Sequence, residues 1–209
     1  MPPLARRDLR NLVRQLGATA RPSQQRKALA TIASVPVCGE DRDNLVAIAA
    51  AGAIPPLVQL LRGGSSAEVQ AIAAAALSNL ARHCGNVSGI VAAGAIPLLV
   101  QLLGTGSLAD VQEFAATALG NLARTEDNQV VIAAAGAIPP LVQLLGSGCR
   151  PDVREKAAAA LRELAFESPA NVVIIAAAGA IPPLVQLLES ASPGPTQLHA
   201  AATLSYYRR

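Results

Sequence analysis

The chain has 209 residues, of which 52% are hydrophobic, 2% aromatic and 15% charged, with no tryptophan and a formal net charge of +3. That length holds one ordinary domain with a substantial core, and the core must be made of Ala, Leu, Val and Ile rather than rings. So small a charge does not by itself point to nucleic acid, and the opening MPPLARRDLR lacks the apolar stretch of a secretory signal.

Taken in chain order, 4–16 and 23–35 pattern as two helices, the first rich in arginine: Arg6, Arg7, Arg10 and Arg14. From 44 to 51 a short helix carries Leu45, Val46, Ile48 and Ala49, with Asn44 expected as its N-cap. Gly52 is placed to end that helix in a left-handed conformation, and Pro55 opens the next one, where a missing N–H costs nothing. A second helix runs to Leu61 and is broken by RGGSSA. The third and longest helix covers 67–82. Its Val69, Ile72, Ala73, Ala76, Leu77 and Leu80 follow the i, i+3, i+4, i+7 spacing of one buried face.

This triplet then repeats. AGAIPPLVQLL begins at Ala51, Ala135 and Ala178, and AGAIPLLVQLL at Ala93. The turn glycines are Gly52, Gly94, Gly136 and Gly179, at intervals of 42, 42 and 43. Asn44, Asn86, Asn128 and Asn171 recur in the same phase. A period of this size is the signature of stacked helical units. The chain divides into a partial N-terminal capping unit over 1–40 and four full units over 41–83, 84–125, 126–168 and 169–209, all in a single domain. The last helix, 196–207, is less polar than a terminal unit in contact with water calls for. The apolar run 172–188 reaches the length of a membrane span, but Gly179 and Pro182-Pro183 interrupt it, and its near-copies read as a repeat.

The residues N…AGAIPPLVQLL…VQ…A…AL.NLA, seen as VQAIAAAALSNLA at Val69 and VQEFAATALGNLA at Val111, resemble the armadillo repeat over nearly the whole chain. The resemblance implies an all-α, right-handed superhelical solenoid of three-helix units. It also implies a non-enzymatic scaffold that binds an extended peptide along a concave groove formed by the third helices. The family's backbone-gripping asparagine maps onto Asn79 and Asn121, while the equivalent positions hold Ser34, Glu163 and Tyr206. The tryptophan that accompanies it in the family's nuclear-import receptors is replaced by Ala75 and Thr117, which argues against recognition of nuclear localisation signals by that route.

At about 100° per residue, Arg82, Ala75, Ile72, Ala71 and Glu68 share the groove face with Asn79. Arg124, Thr117, Phe114, Glu113 and Asp110 share it with Asn121. Phe166, Ala159, Lys156, Glu155 and Asp152 share it with Glu163. An asparagine amide can pair with a peptide N–H and C=O together, each bond netting about 0.5–1.5 kcal/mol. The acids Asp110, Glu113, Asp152, Glu155 and Glu163 suggest a partner carrying Lys or Arg, although first-turn acids also suit the helix dipole. Arg82 and Arg124 are expected in last turns for the converse reason.

No chemistry stands out. His83 and Cys84 are adjacent, and adjacent side chains on a helix end diverge. His199 lies in the last helix at the position of Ile72, and no spacing suggests a zinc or calcium site. The glycines of GTG and GSG follow no strand and precede no Lys-Ser/Thr, so they connect helices rather than cradle phosphate. With few aromatics for stacking, neither nucleic acid nor a cofactor is expected. Cys38, Cys84 and Cys149 are odd in number and form no CxxC, which suits a reduced, intracellular protein, cytoplasmic or nuclear. The alternative is a structural module that self-associates into a homo-oligomer through the terminal repeat; near-identical copies also suit a fragment or an engineered array.

Overall fold

The computed structural model describes residues 6–17, 20–36, 41–62, 65–189 and 194–208, and among these every regular element is a helix. Cys38 lies outside them. A pair, α1 (Arg6–Leu16) and α2 (Pro22–Ala33), precedes four triplets. These are α3 (Asp41–Ala50), α4 (Ile54–Leu60) and α5 (Ala67–Leu80); α6 (Cys84–Ala92), α7 (Ala95–Leu102) and α8 (Ala109–Leu122); α9 (Glu126–Ala134), α10 (Ile138–Gln143) and α11 (Pro151–Ala165); and α12 (Pro169–Ala177), α13 (Ile181–Glu189) and α14 (Pro195–Ser205). A 3-10 turn, Tyr206–Arg208, follows α14. By packing the chain divides into two compact units, Met1–Leu99 and Val100–Arg209, with the boundary inside α7.

The AGAIPP motif makes the turn within three of the four triplets. Gly52 has φ +90°, its N–H donates to Ala49 O at 2.9 Å, and the N–H of Ala53 reaches Ile48 O at 3.3 Å. That pair of bonds is the Schellman closure of α3. It recurs at Gly136 and Gly179, with φ +80° and +81°. Proline then occupies the first turn of α4 and α10, where no backbone donor is needed. The result is a bend of 80° between α3 and α4 and of 86° between α12 and α13. No single helix among the described residues is long and apolar enough to cross a membrane.

In unit 1, Leu29, Ile32, Leu45, Ile48, Leu57, Leu77 and Leu80 are completely buried. In unit 2 the same role falls to Leu119, Leu122, Ile132, Leu141, Leu161, Leu164 and Ile175. Each such side chain contributes roughly 1.5–3 kcal/mol through burial. The recurrent alanines let the long helices close up. At Gly120 of α8, an added Cβ would lie 3.3 Å from Ala160 Cα of α11.

The helix ends differ from expectation at the asparagines. Asn44 lies inside α3 rather than capping it, and α6 takes His83 as N-cap, its Nδ1 accepting from Gly85 N–H at 3.2 Å. Asn86 instead donates from Nδ2 to Leu80 O at 3.1 Å and Leu45 O at 3.2 Å. Asn128 donates to Leu122 O at 3.0 Å and Asn171 to Leu164 O at 2.9 Å. The final carbonyls of a helix have no partner within it, and a buried carboxamide N–H₂ supplies one. A recurrent glutamine does the same for shorter helices: Gln70 Nε2 donates to Leu61 O at 3.1 Å and Gln112 Nε2 to Gly104 O at 2.9 Å. Arg82 and Arg124 fall just past the ends of α5 and α8, not in their last turns.

Candidate functional site

In unit 1 the third-helix face is formed by α2 and α5, which pack together. Its position at Asn79 differs from expectation. Asn79 is only 7% exposed, and its Nδ2 donates to Ile32 O at 2.9 Å and Val35 O at 2.8 Å. An amide nitrogen carries two protons, so both are used, one on the last turn of α2 and one on Val35 two residues beyond it. The amide protons of Asn79 are thus engaged within unit 1, linking α5 to the end of α2. Ser34 is exposed, and its Oγ donates back to Thr31 O at 3.1 Å. What this face presents outward is Arg26, paired to Glu68 at 3.2 Å, together with Ile72, Ala75 and the exposed Arg82.

In unit 2, α11 packs between α8 and α14. Arg150, the N-cap residue of α11, bridges helices: its guanidinium bonds Asp110 of α8 and Asp152 of α11 and comes within 4.0 Å of Glu113. Those two hydrogen bonds hold the Arg150 guanidinium above its ordinary range, and Arg150 keeps the Asp152 carboxyl below its own. Glu113 is pushed above the ordinary 4.5, by burial first and then by Asp152. Lys156 pairs with Glu155 at 2.7 Å, and Arg162 with Glu163. The acidic register exists as expected, but each member faces a cation of the same unit.

His199 of α14 sits half-buried above this row, and burial, then Arg162, hold its imidazole below 6.5. At the C-terminal ends of the helices Phe166 and Tyr206 meet edge-on, with centroids 6.2 Å apart at 81°. Phe114 and Asn121 are half-exposed, Arg124 is exposed, and Thr117 turns its hydroxyl back to Glu113 O at 2.8 Å. The sequence reading named most of these residues but missed Arg150. It precedes the helix and lies off the periodicity that marked the face; the charge pattern RPD was the available signal. Among the described residues no group of three or more His, Cys, Asp or Glu is placed to hold a metal ion.

The chain is similar to known helical repeat proteins. A family model described as HEAT repeats matches residues 54–162, and one described as armadillo/beta-catenin-like repeat matches 168–208. A designed armadillo repeat protein superposes with a TM-score of 0.85 at 31% identity, covering 95% of this chain and 82% of its own. A second solved structure is of computationally designed armadillo repeat proteins for modular peptide recognition (TM-score 0.83, 30% identity, 95% and 81% coverage). A third is a designed armadillo repeat protein in complex with the peptide (KR)4, at TM-score 0.83, 29% identity and 96% and 82% coverage. No curated protein sequence matches. With a left-handed glycine between its first and second helices, a proline-started second helix, an alanine-lined third helix and these relatives, the chain belongs to the armadillo repeat family.

Proposed function

We propose that this armadillo scaffold works without enzymatic chemistry, by binding an extended peptide segment of a protein partner along the outward faces of its third helices. The observation that carries the reading lies in unit 2. There Glu113 of α8 and Glu155 and Glu163 of α11 lie on helices that pack together, with Phe114 on α8 and the Phe166–Tyr206 pair at the end of α11. A partner rich in Lys or Arg fits this row, because its cations can exchange with the long, part-exposed Arg150, Lys156 and Arg162 side chains already there. The (KR)4 peptide held by a designed relative supports the same class. Recognition then rests on side chains, with Asn121 contributing at the face and Asn79 structural. We also assign the protein to the cell interior, cytoplasmic or nuclear, where the exposed thiol of Cys84 stays reduced; a tagged copy visualised in cells tests this.

The binding test is fluorescence polarisation with labelled (KR)4, an alanine peptide and a (DE)4 control. Exposed ion pairs are each worth about 0.2–1 kcal/mol, so a Glu113→Gln/Glu155→Gln/Glu163→Gln triple variant should weaken (KR)4 by roughly 3- to 100-fold. Equal affinity for all three peptides, or no loss in the triple variant, overturns the assignment.

A further inference from the structure

In unit 2 the first helices of the repeats, α9 and α12, carry apolar residues on two opposite faces, and the fold uses one of them. α9 buries Gln129 and Ile132, and α12 buries Asn171 and Ile175. The opposite stripe has the i, i+3, i+4, i+7 spacing of a buried face, yet it stands in water. On α9 it is Asp127, Val130, Val131 and Ala134; on α12 it is Ala170, Val173, Ile174 and Ala177. Val130 and Val131 are 59% and 45% exposed, and Val173 and Ile174 are 67% and 45% exposed. α9 is as bare as α12 although α12 packs beside it, so the exposure belongs to the repeat and not to the last place in the row. Helix propensity does not call for β-branched residues here. Nor does the fold, since α6 holds Gly85, Ser88, Gly89 and Ala92 in the same register. An exposed apolar patch of this kind marks a contact surface.

The charged rim of the patch indicates what covers it. Glu126, Asp127 and Glu167 stand exposed at the starts of α9 and α12, and Arg124 is the one cation in 124–135 and 167–178. The helix dipole accounts for acids in a first turn, but not for valines in water beside them. A lipid surface is disfavoured, because helices that lie on membranes flank their apolar face with Lys and Arg, and anionic headgroups repel carboxylates. A second copy of the same face brings three more acids against one more arginine. The complement is a segment that is apolar along one side and basic at one end. Each stripe belongs to a nine-residue helix, about 13 Å long at 1.5 Å per residue, and the two helices touch. Together they offer a seat for two to three turns of another helix. We infer that the α9–α12 face docks an amphipathic helix of a partner protein. Its apolar stripe lies on Val130, Val131, Val173 and Ile174, and Lys or Arg at one end pair with Glu126, Asp127 and Glu167. The surface is made by first helices, so it is independent of the third-helix groove.

Fluorescence polarisation tests it with a labelled synthetic helix that has leucines at i, i+3, i+4 and i+7 and lysines at one end. One control peptide replaces the lysines by glutamates, and another replaces the leucines by serines. The lysine peptide should bind with a Kd of roughly 1–100 μM, and both controls about tenfold more weakly or worse. Val130→Ser/Val173→Ser installs the residue that α6 already carries as Ser88. It should keep the helical circular dichroism and weaken the lysine peptide by about tenfold or more. Glu126→Gln/Asp127→Asn/Glu167→Gln should weaken it several-fold. Glu113→Gln/Glu155→Gln/Glu163→Gln and an excess of unlabelled (KR)4 should leave it unchanged, which separates this face from the groove. No saturation up to about 1 mM, a control peptide binding as well as the lysine peptide, or undiminished binding to the serine variant overturns the inference. So does loss of binding in the groove variant. Sedimentation of the free chain as a dimer, or with phosphatidylserine vesicles, that Val130→Ser/Val173→Ser abolishes would assign the face to another occupant and overturn it as well.

Discussion

Replacing Asn79 by alanine separates a structural role from a recognition role. The side chain is buried and gives both amide protons to Ile32 O and Val35 O, at 2.9 and 2.8 Å. Two such bonds net about 1–3 kcal/mol, and the stranded carbonyls keep their desolvation cost. For a chain of this length that corresponds to a fall in Tm of roughly 4–8 °C for a 2 kcal/mol loss. Asn79→Asp should be worse, since it presents a carboxylate to the negative end of α2 where a donor is required. Urea unfolding followed by circular dichroism gives the total, and amide exchange locates it. Protection should fall first in the last turn of α2, at the N–H of Ser34, which bonds Ala30 O at 3.0 Å. Peptide affinity should change less than twofold. If Asn79→Ala is as stable as wild type to within about 0.5 kcal/mol while peptide affinity collapses, the amide faces a ligand and the capping argument fails.

Three further expectations can be checked alongside. Gly136→Ala places a Cβ in open space but at φ +80°, so the cost is backbone alone, about 1–2 kcal/mol; an unchanged urea midpoint would contradict it. Arg150→Ala frees Asp110 and Asp152 and should leave the melting temperature nearly untouched while tightening (KR)4 several-fold, as read by polarisation at low salt; weaker binding would show that Arg150 organises the face. The His199 imidazole is held below 6.5, by burial first and then by Arg162 and Lys156, against Glu155 and Glu163. The unfolded chain therefore takes up this proton at higher pH than the folded one, so the contribution is complete above about pH 6.5 and is lost as pH falls below it. His199→Gln should flatten that segment of the stability–pH curve, and an unchanged slope would remove His199 as its source.

Much of the architecture was legible because it repeats. Gly52, Gly136 and Gly179 recur where only a residue without Cβ turns cheaply, prolines follow at first helical turns, and the alanines of α5, α8 and α11 mark where long helices touch. The side-chain roles were harder to read. Asn44 patterned as an N-cap because sequence position alone does not tell an acceptor at one helix start from a donor to the previous helix end. The acids of α8 and α11 were visible as a register, but Arg150, which ties three of them, lies outside that register. The sequence by itself determined local geometry: which residues coil, where the chain turns, and which stripe of each helix is apolar. Only the tertiary structure decided what each polar group spends its hydrogen bonds on. Asn79 shows why: its two partners, 47 and 44 residues away in the chain, come within reach only when neighbouring repeats pack, and no periodicity within one repeat encodes that contact.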